Sequence, residues 1–208
     1  VVDEKRIKPS KRSGGLFDKK DTVRIFYQGS ATHKNDLELI KPAVQEITRK
    51  YPFVKWHVMG SAYGNFASFM EIPKDRVETT KTVHMKNYYR TVKNIKMDIG
   101  ICPLVTIEYN KCKSNIKWLE YSLLGIPAVV SDIITYTDSV VPDKTALVAS
   151  TTEEWISHLS SLVESPELRD IIATQAKEQV LRDFNIHTKI KMWGDTFYKL
   201  HHDNPKKI

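Results

Sequence analysis

Hydrophobic positions along this chain alternate between two periods from residue 22 onward. Short runs rich in β-branched and aromatic residues, such as residues 22–28 (TVRIFYQ), precede longer segments in which apolar residues recur every three or four positions. This alternation is typical of a parallel β-sheet covered by α-helices. We therefore predict an α/β fold, a single three-layer domain with a mostly parallel six-stranded sheet.

The same pattern gives approximate bounds for each element. The predicted strands are residues 22–28, 53–59, 76–80, 97–102, 127–131 and 145–149. The predicted helices are residues 36–50, 64–70, 86–94, 114–124, 152–164, 166–183 and 187–200. Pro42 falls inside the first helix, so we expect that helix to be kinked or to start late.

Two helix boundaries are marked by residues that suit helix ends. Ser165 followed by Pro166 predicts an N-cap and a first helical residue, since proline needs no hydrogen-bond acceptor there. Gly125 before Pro127 predicts the end of the preceding helix, because glycine adopts the left-handed cap conformation and proline cannot continue a helix.

The composition argues against a membrane-spanning or disordered chain. The 208 residues are 41% hydrophobic and 10% aromatic, and no stretch approaches the roughly 18 apolar residues that a transmembrane helix needs. The two cysteines, Cys102 and Cys112, fall in a predicted strand and in the loop region after it. A disulfide framework is therefore not expected, and we predict a reducing, cytoplasmic environment.

Positive charge is concentrated at the start of the chain. Residues 1–20 hold seven basic and three acidic residues and so supply four of the seven net positive charges. We interpret this segment as a basic linker, with a contact to membrane or nucleic acid as the alternative. Residues 21–185 then form the predicted domain, and residues 186–208 a carboxyl-terminal helix and tail. The first residue is Val1, so we expect a piece of a longer polypeptide.

Residues 110–127 (NKCKSNIKWLEYSLLGIP) carry the strongest chemical signal. Ser114 is a natural N-cap, yet three lysines surround the positive end of the predicted helix, namely Lys111, Lys113 and Lys117. An anion such as phosphate, held on the free backbone N–H groups of Ser114, Asn115 and Ile116, would explain this charge. The segment also follows a predicted parallel strand, where α/β sheets bind ligands. The alternative is a solvated lysine face.

Glu120 stands one turn after Lys117 and two turns after Lys113, so a regular helix would place all three on one polar face. A carboxylate two turns from a phosphate site could accept hydrogen bonds from ribose hydroxyls. The alternative is a surface Lys–Glu pair, which contributes little to stability.

Three runs of sequence resemble a known family. DIGICPL, KSNIKWLEYSLLGIPAVVSD and EEWISHLSSLVESPELRDIIATQA are similar to the carboxyl-terminal, donor-binding domain of GT-B-type nucleotide-sugar glycosyltransferases of group 1, which are mostly retaining enzymes. The resemblance extends from about residue 22 to 185. It implies a Rossmann-like domain that forms one half of a GT-B architecture.

The resemblance also implies roles for individual residues. Glu120 would bind the nucleotide ribose, and the amides at Ser114 and Asn115 would hold the pyrophosphate. Gly29 matches the glycine after the first strand, and Lys34 matches a phosphate-contacting lysine.

Two positions depart from the family pattern. Cys112 stands where many members have a glutamate near the sugar, and Ser30 stands where an arginine often follows the glycine. These departures bear on the donor, on retention of configuration and on activity. The usual catalytic histidine belongs to the family's amino-terminal domain.

The remaining chemistry is sparse. His84 follows a predicted strand at the same sheet edge and could line a base pocket, although a plain loop explains it too. For Tyr88 and Tyr89 we expect one ring in the core and one at its rim. No phosphate-loop or dinucleotide fingerprint occurs, and the histidines show no metal-ligand spacing with the cysteines. We therefore predict no metal and no cofactor.

The sequence thus predicts a donor-binding domain of a hexosyltransferase-like enzyme that moves sugar from a nucleotide diphosphate sugar to an acceptor in polysaccharide or glycan assembly. An amino-terminal acceptor-binding domain is the expected partner, so the chain alone should be incomplete and inactive. A peripheral contact at the inner face of the membrane is also expected. The alternatives are a non-catalytic α/β module and, on charge alone, a nucleic-acid-binding domain, although no nucleic-acid partner is predicted. The candidate binding residues are Gly29, Ser30, Lys34, His84, Lys113, Ser114, Asn115, Lys117 and Glu120.

Overall fold

A computed structural model of the chain describes residues 22–60 and 65–203. Within these residues six strands form one sheet in the order β3-β2-β1-β4-β5-β6, and every neighbouring pair is parallel. The predicted α/β fold is confirmed. The strands are β1 (Val23–Gln28), β2 (Val54–Met59), β3 (Val77–Thr80), β4 (Ile99–Cys102), β5 (Ala128–Ser131) and β6 (Leu147–Ala149). The proposed basic linker, residues 1–20, lies outside the described residues.

Helices occupy the segments between the strands. They are α1 (Lys34–Lys50), α2 (Phe66–Met70), α3 (Met85–Asn94), α4 (Glu108–Lys111), α5 (Ile116–Leu124), α6 (Ile134–Thr137), α7 (Thr152–Glu164), α8 (Pro166–Asp183) and α9 (Ile186–Asp203). A short 3-10 helix of residues 31–33 precedes α1 and another of residues 74–76 precedes β3. The late start expected for α1 is wrong, because it begins at Lys34 and carries Pro42 within it.

The structure confirms both predicted helix boundaries. Ser165 caps α8 by accepting a hydrogen bond from the backbone N–H of Leu168 at 3.0 Å, and Pro166 is the first helical residue. Gly125 ends α5 with a φ of 71°, a left-handed conformation that glycine adopts without strain. These two signals therefore fix where α5 stops and where α8 starts.

Apolar side chains fill the space on both faces of the sheet. On one face Ile25 and Trp56 pack with residues of α1 and α7, such as Leu159. On the other face Phe26 packs with residues of α5, and Trp118 donates a hydrogen bond to the carbonyl oxygen of Thr145 at 3.0 Å. Each large apolar side chain buried in this way contributes roughly 1.5–3 kcal/mol. The two cores hold the ends of the strands in fixed positions.

The strand order makes the carboxyl ends of β1 and β4 a topological switch point, and we call this location the crevice. These strands are neighbours in the sheet, yet the chain leaves β1 toward β2 and leaves β4 toward β5, on opposite sides. At such a topological switch point the following loops separate and open α/β sheets bind ligands. Gln28 and Cys102, the last residues of the two strands, therefore mark the floor of the candidate site.

From Ile190 onward, helix α9 differs from the other long helices because its side chains are exposed. Every residue from Ile190 to Asp203 is exposed, including the aromatic residues Trp193, Phe197 and Tyr198. No helix among the described residues has both the length and the apolar character required to cross a bilayer.

Candidate functional site

Lys117 places a buried ammonium group in the crevice. It lies in the first turn of α5, and its Nζ is buried without a hydrogen-bond acceptor among the described residues. This Nζ lies 4.8 Å from the centre of the Tyr27 ring, so a cation–π contact holds it at the end of β1. Burial lowers the pKa of Lys117, and the charge of Lys113 lowers it further, while Cys102 and Asp36 act in the opposite direction. An anionic group placed next to the Lys117 ammonium would therefore be stabilised.

Glu120 lies one turn further along α5 and is only 6% exposed. Its Oε2 accepts hydrogen bonds from Nε2 of Gln28 at 2.7 Å and from the hydroxyl of Tyr88 at 2.6 Å. Burial raises the pKa of Glu120, and the two hydrogen bonds partly offset that rise. The surface Lys–Glu pair considered above is therefore wrong, as is the polar face, because Glu120 points into the protein.

Gln28, Tyr88 and Glu120 form a closed ring of polar contacts. The hydroxyl of Tyr88 also lies 2.6 Å from Oε1 of Gln28, so each side chain contacts the other two. Burial and the neighbouring Glu120 raise the pKa of Tyr88. The ring joins the end of β1 to α3 and α5 and fixes the orientation of the carboxyl group.

Asp36 fixes the opposite side of the crevice. One of its carboxylate oxygens accepts hydrogen bonds from the backbone N–H of Val105 at 2.8 Å and from Nδ2 of Asn110 at 3.1 Å. The other lies 2.6 Å from Nδ1 of His33. Burial, the largest single influence, would raise the pKa of Asp36, but the hydrogen bonds from His33 and Val105 and the charges of His33 and Lys113 together lower it. Asp36 therefore ties the start of α1 to the loop between β4 and α5.

The loop before α5 is fixed at two further points. The carbonyl oxygen of Asn110 accepts a hydrogen bond from the Thr135 hydroxyl at 2.5 Å, and Nδ2 of Asn115 donates to Oγ of Ser139 at 2.8 Å. Both partners belong to the segment after β5. The start of α5 is therefore held in place from both sides.

The predicted N-cap Ser114 is wrong by one residue. Asn115 is the N-cap and α5 begins at Ile116, because the side chain of Asn115 is held by Ser139 outside the helix. The first hydrogen bond of the helix runs from the N–H of Leu119 to the carbonyl of Asn115 at 3.2 Å. The N–H groups of the residues before Leu119 therefore have no acceptor within the helix, as expected at an anion-binding end.

The residues predicted at the end of β1 lie at the same sheet edge. A Cβ on Gly29 would lie 2.5 Å from the hydroxyl oxygen of Tyr27, so a side chain would displace that ring. Ser30 is exposed, with its Oγ 2.8 Å from Oγ1 of Thr32. Lys34 is exposed at the first position of α1, in the same turn as Asp36.

The other predicted residues stand at or just before the starts of α3 and α5. Lys113 is half-buried, and its Nζ lies 5.0 Å from the centre of the Tyr109 ring. Ser114 is exposed. His84 is the N-cap of α3, where its Nδ1 accepts a hydrogen bond from the N–H of Lys86 at 3.3 Å, and it precedes Tyr88 by one turn.

Gln28, Tyr88 and Asp36 were not among the predicted site residues. Gln28 is a polar residue at the end of a buried strand, which is a usable signal in the sequence. Tyr88 and Asp36 act through partners far away along the chain. Within residues 22–60 and 65–203, no three His, Cys, Asp or Glu side chains are grouped so that they could hold a metal ion.

Comparison with known proteins identifies a family for most of the domain. The model of the family described as "Glycosyl transferase-like" matches residues 37–193. A search of curated proteins finds no match.

Solved structures share the fold. The carboxyl-terminal domain of a glycosyl transferase group 1 family protein from Francisella tularensis is 15% identical, with a TM-score of 0.66 over 89% of this chain and 100% of that domain. The Anabaena protein HepE, solved in complex with UDP-glucose, is 12% identical, with a TM-score of 0.72 over 95% of this chain and 55% of its own. Sucrose-phosphate synthase from Thermosynechococcus elongatus is 13% identical, with a TM-score of 0.72 over 97% of this chain and 51% of its own. The chain thus spans about half the length of the last two proteins.

Proposed function

The chain belongs to the family of glycosyl transferase-like proteins, and on that basis we propose that it is the donor-binding domain of a glycosyltransferase. The ligand is a nucleotide diphosphate sugar, bound in the crevice between β1 and β4. The product of the complete enzyme is a polysaccharide or another glycan.

The observation that carries this proposal is the buried ammonium of Lys117. A buried cation without a hydrogen-bond acceptor is costly, and an anion that enters the crevice removes that cost. The free N–H groups at the start of α5 add donors beside it. A diphosphate carries the charge and the several oxygen acceptors that such a set of donors requires.

The nucleoside end of the donor lies toward Glu120 in this proposal. Gln28 and Tyr88 both contact Oε2 of the carboxyl group, which leaves Oε1 for the ribose hydroxyls. His84 stands one turn before Tyr88, in a position to contact the base. Gly29 leaves room for the Tyr27 ring, which packs against the Nζ of Lys117.

The chemical role of this domain is electrostatic. When the sugar leaves, negative charge accumulates on the diphosphate, and groups that are already oriented toward it lower the barrier. Lys117 and the start of α5 form such a preorganised site, with Lys34 and Lys113 at its rim. We propose that no metal ion is required.

Transfer requires a second domain that holds the acceptor and excludes water from the crevice. The exposed apolar side chains of α9, which recur at Ile190, Trp193 and Phe197, form the surface that we assign to this contact. The 208 residues alone should therefore bind donor without transferring sugar. The same chain joined to the acceptor-binding domain should restore turnover.

A non-catalytic binding module is the second candidate. The exposed side chain at the position of the family's sugar-contacting glutamate is Cys112, which is a poor acceptor for sugar hydroxyls. This candidate predicts nucleotide binding by the complete protein but no transfer.

Calorimetric titration with uridine, guanosine and adenosine diphosphates and their sugars tests the proposal. One base series should bind, and Lys117→Met should weaken that binding roughly 10- to 100-fold, because a hydrogen bond to a charged group contributes about 1.5–3 kcal/mol. Lys144→Met, at an exposed position outside the crevice, is the matched control. If no nucleotide binds to the folded protein, the proposed function is wrong.

A further inference from the structure

The segment that connects β3 to β4 is uniformly basic. No acidic residue occurs between Glu78 and Asp98, and all the basic residues in this interval are exposed. They are Lys81, Lys86, Arg90, Lys93 and Lys96. We call these five residues the α3 basic surface. No other interval between two acidic residues in the described part of the chain holds more than three Lys or Arg residues.

None of these five cations forms an ion pair with another described residue. Some exposed cations elsewhere do pair, such as Arg49 with Glu46, Lys111 with Glu108 and Arg182 with Asp183. The α3 basic surface therefore presents a field of one sign, which attracts an extended anionic partner.

The geometry of α3 separates this charge from the protein core. Val92 is buried against the domain, and Tyr88 reaches the carboxyl group of Glu120. Lys86, Arg90 and Lys93 follow one another at i, i+4 and i+7 and so form a single stripe on the exposed side. One face of α3 therefore packs against the domain, and the opposite, cationic face is exposed to solvent.

Two features distinguish between possible anionic partners. Met85, at the start of α3, is 73% exposed, so an apolar side chain lies beside the cations. The aromatic rings of the helix offer little free surface for stacking on bases, because Tyr88 and Tyr89 are both half-buried against the core and pack edge-to-face on each other at 5.1 Å. Lysines beside an exposed apolar residue suit the headgroup layer of a bilayer better than they suit a nucleic acid.

We propose that the α3 basic surface docks the domain on a bilayer that contains anionic phospholipids. This inference does not depend on the proposed function, because none of the five cations is part of the nucleotide crevice. It rests on the described residues and not on residues 1–20. Docking through α3 would nevertheless place the crevice beside the membrane, since the same helix supplies Tyr88 to Glu120.

The experiment compares two triple variants of the 208-residue chain in co-sedimentation with vesicles. Lys86→Gln, Arg90→Gln and Lys93→Gln remove three charges from the α3 basic surface. Lys74→Gln, Lys144→Gln and Lys191→Gln remove three exposed charges elsewhere and are the matched control. Vesicles of phosphatidylcholine with phosphatidylglycerol are the probe, and vesicles of phosphatidylcholine alone measure binding that does not depend on lipid charge. Thermal unfolding verifies that both variants are folded.

The wild-type chain should sediment with the anionic vesicles, and added salt should release it. The α3 variant should partition about 100-fold more weakly, given the contribution of each lysine near an anionic surface, while the control stays near the wild-type value. Equal losses in the two variants, or equal binding to both kinds of vesicle, would overturn the proposal. So would binding to a single-stranded oligonucleotide with no binding to vesicles. Nucleotide titration of the α3 variant should be unchanged, which separates this proposal from the proposed function.

Discussion

The hydroxyl oxygen of Tyr88 lies 2.6 Å from Oε2 of Glu120, although the two residues are 32 positions apart in the chain. This contact joins α3 to α5 across the end of β1. Together with Gln28 of β1, α3 therefore fixes the orientation of the carboxyl group that the proposed function assigns to ribose.

Replacing Tyr88 with phenylalanine tests this arrangement. Loss of one hydrogen bond of about 1 kcal/mol should lower nucleoside diphosphate affinity roughly 5-fold, because Glu120 is then less well oriented. Inorganic pyrophosphate should bind as before, since it has no ribose. Calorimetry with both ligands measures the difference. Tyr89→Phe, on the same helix, is the control, and an equal loss for pyrophosphate would contradict the assignment.

The pH dependence of stability should reveal the buried carboxyl group of Glu120. Its pKa is raised, so between the ordinary and the raised value the folded protein binds more protons than the unfolded chain. The free energy of unfolding should therefore fall as pH rises through this window, from about pH 4 upward. Glu120→Gln has no such proton to lose. In urea unfolding at several pH values, the free energy of unfolding of Glu120→Gln should increase relative to that of the wild type as pH rises. A difference that stays constant with pH would contradict this prediction.

Lys117→Met should stabilise the ligand-free domain while it weakens nucleotide binding. Methionine removes a buried charge, and we expect a gain of about 1 kcal/mol in the free energy of unfolding at neutral pH. The pKa of Lys117 is lowered, so between the lowered value and the ordinary value of 10.5 the folded protein binds fewer protons than the unfolded chain. Wild-type stability should therefore rise with pH relative to the variant in that window. A destabilised variant with no pH dependence would indicate that the ammonium is solvated.

Asp36→Asn should weaken the link between α1 and the loop before α5. Asparagine removes the charge from a group that accepts three contacts, and we expect a loss of about 2 kcal/mol in the free energy of unfolding at neutral pH. The pKa of Asp36 is lowered, so its contribution is present above the ordinary value and is lost as pH falls through the lowered one. Glu38→Gln, exposed on the same helix, should change stability little. Equal stability of both variants would be the contrary result.

Strands β1, β4 and β5 could be predicted because buried parallel strands are short apolar runs that stand out from the sequence around them. The helices with strong caps could be predicted for an equally local reason, as Ser165 and Gly125 illustrate. The four-residue helices α4 and α6 could not, since neither is long enough to show a period. The choice between Ser114 and Asn115 as N-cap also exceeded local information, because Ser139 decides it.

The orientation of Glu120 was mispredicted for a different reason. Helical spacing places it on one face with Lys117, but six of the nine residues of α5 are buried, so this helix has little polar face. Its hydrogen-bond partners are Gln28 of β1 and Tyr88 of α3. They lie 92 and 32 positions away in the chain, too far for helical spacing to predict. The residue types of the site were thus visible in the sequence, whereas the contacts that orient them were not.

Mapping of the bound nucleotide on the protein backbone by ¹⁵N NMR tests the central claim most directly. The ligand is the nucleoside diphosphate that binds in the calorimetric panel. We predict that amide shifts change at the end of β1 (Gln28 to Ser30) and at the start of α5 (Ser114 to Lys117), and that in Lys117→Met both groups of changes require a roughly 10- to 100-fold higher ligand concentration. Shifts confined to other parts of the chain, or unchanged shifts at Lys117 with saturating ligand, would contradict the assignment of the crevice as the donor site.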